Sequence, residues 1–227
     1  MNKTVTVIIP VFNEINYIET ILKRVNLQKK KFNIQIIVSD DASNDGTYDF
    51  LLSNKNLYDK LIRSINNEGK GAAIRKAADY IKNDITIIQD ADLEYNPEDY
   101  EDLLKPFIDL DADVVYGNRF SSKNFQRVHM FSHKIANTII TNMTNLFTNV
   151  NFSDVETGYK CFKTKILKSI KLRELSFGFE IEITKKICKL QCKIFEVPIS
   201  YNGRSYSEGK KIKLKDALRA FYCILRY

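Results

Sequence analysis

Through the first 95 residues, short unbroken runs of β-branched residues alternate with stretches whose apolar positions recur every three or four residues. Residues 4–10, Thr-Val-Thr-Val-Ile-Ile-Pro, predict a buried strand stopped by proline, which cannot continue a central ladder. A Val11-Phe12-Asn13-Glu14 loop follows. Ile18, Ile21, Leu22 and Val25 then mark a helix over 15–26. A strand over 34–38 runs into the polar loop from Ser39 to Thr47 and a helix over 48–53. A short strand over 61–64, a glycine loop over 66–71 and an alanine-rich helix over 72–81 come next. Residues 85–95, Ile-Thr-Ile-Ile-Gln-Asp-Ala-Asp-Leu-Glu-Tyr, then turn abruptly from apolar to acidic. Runs this apolar belong to strands covered on both faces, and the alternation predicts an α/β fold with a doubly wound, mainly parallel sheet. The polar strand ends would share the carboxyl edge, where such sheets bind ligands, so Asn13, Glu14, Asp40, Asp41 and Asp90 are expected to converge.

The second half is less regular. A helix is expected over 97–110 despite Pro106, and a strand over 113–120 that ends in Gly117-Asn118-Arg119-Phe120. Residues 121–127 are polar. Ile135, Ile139, Ile140, Met143, Leu146 and Phe147 predict one long amphipathic helix over 128–150. Residues 154–162 enter a strand, 163–170 form a short helix, 181–190 a longer one and 193–200 a last strand. Residues 201–213 are a polar, basic loop, and a terminal helix covers 214–226. No repeat or linker interrupts the chain, which predicts a single domain.

Chemistry concentrates at Asp90 and Asp92. Two carboxylates this close repel unless a cation lies between them, and hard oxygen ligands suit Mg²⁺ or Mn²⁺, ions that also hold substrate phosphates. The structural alternative is a polar turn before a helix begun by Asn96-Pro97. Asp-x-Asp alone does not decide between them. Asp40-Asp41 has a similar alternative, an acidic loop satisfying backbone N–H groups. Gly69-Lys70-Gly71 lacks the spacing of a Walker A loop; its glycines serve a close diphosphate approach or a tight turn.

Composition narrows the class. With 44% hydrophobic and 28% charged residues, the 227-residue chain is globular. No apolar run approaches a membrane span and no basic-then-apolar signal opens it, so a cytoplasmic location is expected, peripheral to the membrane at most. Cys161, Cys188, Cys192 and Cys223 match no zinc spacing and read as small core residues. His129 and His133 have no third ligand nearby and read as ordinary surface or core histidines. The net charge of +7 is uneven: residues 203–227 hold seven Lys/Arg against Glu208 and Asp216, a local +5. That tail implies an anionic partner, a phosphate or an acidic membrane surface; no nucleic-acid motif accompanies it.

The motifs Val7-Ile8-Ile9-Pro10-Val11-Phe12-Asn13-Glu14, Val38-Ser39-Asp40-Asp41-Ala42-Ser43-Asn44-Asp45-Gly46-Thr47, Asn67-Glu68-Gly69-Lys70-Gly71, Asp90-Ala91-Asp92-Leu93-Glu94, Gly117-Asn118-Arg119-Phe120, Asp154-Val155-Glu156-Thr157-Gly158-Tyr159-Lys160 and Gly178-Phe179-Glu180-Ile181-Glu182 occur in this order. As a set they resemble the family 2 inverting glycosyltransferases of GT-A fold, and within them the dolichyl- and polyprenyl-phosphate mannosyl- and glucosyltransferases. The resemblance implies a nucleotide-binding half (1–95), an acceptor half (96–200) and a basic loop with a C-terminal amphipathic helix (201–227). It implies a nucleotide-sugar donor, with Asp90 and Asp92 on Mg²⁺ or Mn²⁺. Pro10, Asn13, Glu14, Asp40 and Asp41 would hold the nucleoside, and Lys70, Ala91 and Glu180 are further substrate contacts. Arg119, and Arg204 in the closing loop, would clamp phosphate oxygens alongside catalytic Asp92.

The acceptor stays open. Sugar-acceptor relatives carry a Glu-Asp or Asp base where this chain reads Phe179-Glu180-Ile181-Glu182. That departure favours a polyprenyl phosphate, which needs no base; Asp154, Glu156 and Glu180 are the candidate bases for a glycan hydroxyl. Such a lipid would be reached at the membrane surface or through a membrane protein partner. The rival from another class is a non-catalytic nucleotide-sugar-binding module.

Overall fold

The computed structural model describes residues 4–121, 127, 130–204 and 214–227, with backbone alone at 214–216. Strands β1 (Thr4–Val11), β2 (Asn33–Asp40), β3 (Lys60–Arg63), β4 (Ile85–Ile88), β5 (Val114–Asn118), β6 (Lys160–Lys163) and β7 (Ile194–Pro198) form one sheet in the order β3-β2-β1-β4-β6-β5-β7. Every neighbouring pair is parallel except those made by β6, which runs antiparallel to β4 and β5.

The unbroken apolar runs are explained by cover on both faces. Val5, Val7, Ile9 and Val11 of β1 face α1 (Ile18–Gln28), α2 (Thr47–Ser53) and α4 (Tyr100–Asp109), while Ile8 faces the other side. There α3 (Lys70–Ala78), α5 (Phe131–Thr148), α6 (Thr164–Ser169), α7 (Gly178–Lys189) and α8 (Leu214–Arg226) cover the sheet. Each such isoleucine or valine, fully buried, contributes about 1.5–3 kcal/mol. No helix among the described residues is long and apolar enough to cross a membrane. All four cysteines are free thiols, and Cys161 and Cys223 lie in the core as expected.

Two expectations need correction. Pro10 does not stop β1, which continues to Val11. The β1–β4 ladder ends at Ile8–Ile88, with Gln89 N–H donating to Ile8 C=O. Pro10 shares the side of Ile8 and lies beyond that last pair, so its missing N–H is not called for. The apolar side expected of α5 is also met only in part: Ile140 and Met143 turn to the core and the others outward. Its buried side carries Asn137, Ile140, Thr141 and Thr144, while Ile135, Ile139, Leu146 and Phe147 are exposed. The buried polar groups are used: Asn137 accepts from Arg119, and Thr141 Oγ1 accepts from Val155 N–H. His129, most of the 121–127 loop and residues 205–213 lie outside the described residues.

The reversal of β6 positions the site. Because Lys160 pairs with Ile88 and with Tyr116, the loop that precedes β6 comes to the edge where the parallel strands end. Residues 154–159 therefore meet the Asp90–Asp92 loop. The end of β5 brings Arg119 to the same edge, and the end of β7 leads through Tyr201, bridged to Tyr95, to Arg204.

Candidate active site

A cavity of about 290 Å³ opens along this edge. Along the order of the strands, Glu14 and Asp41 follow β1 and β2, Asp90 and Asp92 follow β4, and Glu156 and Arg119 come from the ends of β6 and β5.

Its floor is a set of carboxylates held by basic side chains. Arg204 Nη2 lies 2.6 Å from Asp92 Oδ2, Nη1 3.2 Å from Glu14 Oε2 and Nε 3.3 Å from Glu94 Oε1. Its backbone N–H also donates to Glu94. One arginine thus ties the C-terminal loop to the ends of β1 and β4. Burial works against its charge, but Asp92, Glu14 and Glu94 outweigh burial and hold the guanidinium firmly protonated. Lys70, at the start of α3, sits 2.7 Å from Asp90 Oδ1 and 2.9 Å from Glu180 Oε1. The other oxygen of Glu180 accepts from the fully buried Lys160. Asp90, Lys70, Glu180 and Lys160 thus form a chain of alternating charge from the cavity into the core. Arg119 packs its Nε and Nη2 against the two oxygens of Asp154, both at 2.7 Å, with Tyr201 5.3 Å from the guanidinium carbon. Asp154 is fully buried, so this bidentate pair is its compensation.

Gly158 permits the close approach of the two halves. A Cβ added there would lie 2.2 Å from Asp90 Oδ2 and 2.9 Å from the Tyr95 ring. Gly158 N–H also donates to Tyr95 Oη at 2.7 Å.

The donor set fits a hard divalent cation. Burial first, then the negative charges of Asp90 and Glu94, push the Asp92 carboxyl up to about 7 against the pull of Arg204. Three acids, Asp90, Asp92 and Glu94, thus stand close together in a largely buried place with Lys70 and Arg204 as their cations, and oxygen ligands of this kind suit Mg²⁺ or Mn²⁺. No cluster of three His, Cys, Asp or Glu ligands is formed among the described residues. Asp90 and Asp92 would hold the ion with help from substrate phosphate oxygens.

Pro10, Glu14, Asp41, Lys70, Asp90, Ala91, Asp92, Arg119, Glu180 and Arg204 all line the cavity. Asn13 and Asp40 do not. Asn13 exchanges hydrogen bonds with Asn44, and its backbone N–H donates to Ser43. Asp40 is fully buried beneath, where burial raises its carboxyl above the ordinary range. Asp41 accepts from the N–H groups of Glu68 and Gly69, so it holds the glycine loop in place.

Glu94 was not singled out in the sequence. Its signal was present: a third acid in Asp90-Ala91-Asp92-Leu93-Glu94, two residues after Asp92. Glu156 stands apart from the other acids. It lines the cavity, yet its Oε1 is buried with no hydrogen-bond partner. Burial, then the charge of Glu180, push this carboxyl up to about 7. A group raised in this way leaves stability unaffected below the ordinary carboxylate range. It lowers stability progressively as the pH climbs, and fully above about pH 7. Glu156→Gln is therefore expected to stabilise the protein by on the order of 2 kcal/mol at about pH 8 and by nothing at about pH 4. Thermal unfolding of both proteins at the two pH values checks this.

Comparison with known proteins agrees with the motifs. The model of glycosyl transferase family 2 matches residues 6–171. An uncharacterised protein of Methanocaldococcus jannaschii is 33% identical over 223 residues, covering 90% of this chain and 93% of that protein. An undecaprenyl-phosphate mannosyltransferase of Micrococcus luteus is 27% identical over 215 residues, 91% of this chain and 86% of its own length. Among solved structures, glucosyl-3-phosphoglycerate synthase of Mycobacterium tuberculosis in complex with Mn²⁺, uridine diphosphate and phosphoglyceric acid superposes with a TM-score of 0.72 at 17% identity. That match covers 99% of this chain and 78% of the synthase, and it speaks to the GT-A fold alone. The family match runs from β1 past β6, over well more than half of the chain, so this chain belongs to family 2 of the glycosyltransferases.

Proposed function

We propose that this glycosyltransferase moves a hexose, with inversion, from a nucleotide sugar of the GDP-mannose or UDP-glucose type to a polyprenyl or dolichyl phosphate. One observation carries the choice of acceptor: two of the three candidate bases are already committed. Asp154 is locked onto Arg119, and Glu180 onto Lys70 and Lys160. A hydroxyl acceptor would depend on Glu156 alone as its base, whereas a lipid phosphate is already anionic and needs cations around it. Arg119, paired with Asp154 yet lining the cavity, would be such a cation. The name of the Micrococcus luteus relative supports the same acceptor class.

In this reading residues 1–95 hold the nucleotide, 96–200 the acceptor, and 201–227 close the site. Asp90 and Asp92 hold Mg²⁺ or Mn²⁺, and the bound ion supplies positive charge to the departing diphosphate. Lys70 and Arg204, drawn in by Asp90 and Asp92, stand beside the same place and can turn to the phosphates as their partners are neutralised. Asp41 steadies the glycine loop against the diphosphate and offers its remaining lone pairs to a base N–H. Ala91 leaves room between the two aspartates, and Arg119, held square by Asp154, meets the acceptor phosphate. The protein works on the cytoplasmic membrane face, bound peripherally or through a membrane partner.

Calorimetry tests the donor half. UDP or GDP is expected to bind at least tenfold tighter with Mn²⁺ than with EDTA, roughly 1.4 kcal/mol. Equal binding in both would count against Asp90 and Asp92 as the metal-holding pair.

Glu156 favours one second reading, transfer to a glycan hydroxyl. A carboxyl raised to about 7 and unpartnered in the cavity is suited to act as general base. In that case Glu156→Gln would abolish transfer to sugars and remove the rise of rate with pH; transfer to a lipid phosphate would keep most of its rate.

A further inference from the structure

Among the described residues, nothing covers the outward face of α5. Phe131, Ile135, Ile139 and Leu146 follow spacings of four, four and seven, which places them on one side of the helix, opposite the buried Asn137, Ile140 and Thr144. Phe131 and Leu146 are each 74% exposed. α8 packs against α5 and continues the surface. Its Ala220, Cys223 and Ile224 are buried, while Leu218, Tyr222 and Leu225 point away, 65%, 46% and 72% exposed. Two neighbouring helices thus turn apolar residues outward, a larger patch than scattered surface residues make.

Charge identifies what covers it. Residues 120–153 contain no aspartate or glutamate, and Lys134 lies on α5 itself. On α8 the basic Arg219 and Arg226 flank the apolar positions, each within ion-pair reach of Glu174. Two copies meeting through this face would bring like charges together, whereas an anionic lipid surface attracts them. Apolar residues with basic neighbours and an aromatic of the Tyr222 type are what an interfacial helix presents to headgroups.

We propose that α5 and α8 together are a docking face for an anionic lipid bilayer, with the stripe from Phe131 to Leu146 entering the headgroup layer. The helix that docks also fixes the acceptor end of the cavity: Asn137, on its inner side, accepts from Arg119 Nη2 at 3.1 Å. Docking would hold the Arg119 end of the cavity within one helix diameter of the lipid. The link to catalysis rests on the proposed lipid acceptor; binding to lipid does not, because it needs no turnover.

The test is vesicle flotation of the whole chain with phosphatidylcholine vesicles, alone or with about one-third phosphatidylglycerol. The protein is expected to float with the anionic vesicles and to be released by high salt. Phe131→Glu with Ile139→Glu, and separately Leu218→Glu with Leu225→Glu, should each weaken partitioning by roughly tenfold or more. Ile65→Glu, at a residue 94% exposed beside the opposite sheet edge, should leave it unchanged. All five side chains replaced are exposed, and unchanged thermal unfolding and nucleotide binding would show that folding is intact. No flotation with anionic vesicles at low salt would overturn the proposal. So would undiminished flotation of the α5 and α8 variants, or sedimentation as a dimer that the same variants dissociate. If flotation succeeds while no lipid phosphate is glycosylated, the docking face stands and the acceptor assignment falls.

Discussion

Asp92→Ala is expected to lower kcat/KM for sugar transfer at least about a thousandfold, some 4 kcal/mol of transition-state stabilisation. The size follows from where charge develops. When the anomeric bond breaks, the nucleoside diphosphate gains negative charge in a cavity whose floor is already acidic: Asp90, Asp92, Glu94 and Glu14. Without a held cation, that charge is repelled by the groups meant to bind it. The loss should appear in kcat and in metal-dependent nucleotide affinity together. Folding should survive, because Arg204 keeps Glu14 and Glu94. Removal of Asp92 also relieves a carboxyl that burial and its neighbours push up to about 7. Thermal unfolding within about 1 kcal/mol of the parent, with activity gone, is the expected pair of results.

Arg119→Gln should also act strongly, but on stability and activity at once. It leaves the fully buried Asp154 without its guanidinium, and breaking such a pair costs about 3–5 kcal/mol. That loss would hide any catalytic role, so a second variant is needed. Adding Asp154→Asn removes the stranded charge, and the double variant should recover most of the stability. Transfer to a phosphate acceptor should stay at least about a hundredfold down in both, because the cation at the acceptor end is missing in both. A double variant that regains activity along with stability would reduce Arg119 to a structural partner of Asp154.

These expectations also separate what the chain displays locally from what it does not. The strands were legible because buried parallel strands must be apolar on both faces, and the acids after Ile88 stand out against that run. Arg119 was legible as a member of an ordered motif set, and Arg204 through the basic loop that the resemblance implies. The position of β6 was not. Its insertion between β4 and β5, antiparallel to both, is a long-range pairing with no local signal, yet it is what carries Asp154, Glu156 and Gly158 to the site. For the same reason the sequence could not show that Asp154 and Glu180 are committed to ion pairs while Glu156 is not. Asn13 and Asp40 point the other way: both fall in the right motifs, but the loop geometry turns them to hydrogen bonds and burial beneath the cavity. That most of the apolar residues of α5 face outward escaped because periodicity tells that a helix has an apolar side, not what that side meets.

The most direct single measurement is transfer from a panel of radiolabelled UDP- and GDP-hexoses to a polyprenyl phosphate in detergent micelles, with Mn²⁺ or with EDTA. A soluble sugar is offered in parallel, and Asp92→Ala serves as the control. The expected result is a labelled, acid-labile lipid-linked sugar from one donor, formed only with the metal and absent with the variant. Labelled glycan with no labelled lipid would contradict the phosphate acceptor and make Glu156 the base; metal-independent transfer that survives Asp92→Ala would contradict the central role of Asp90 and Asp92.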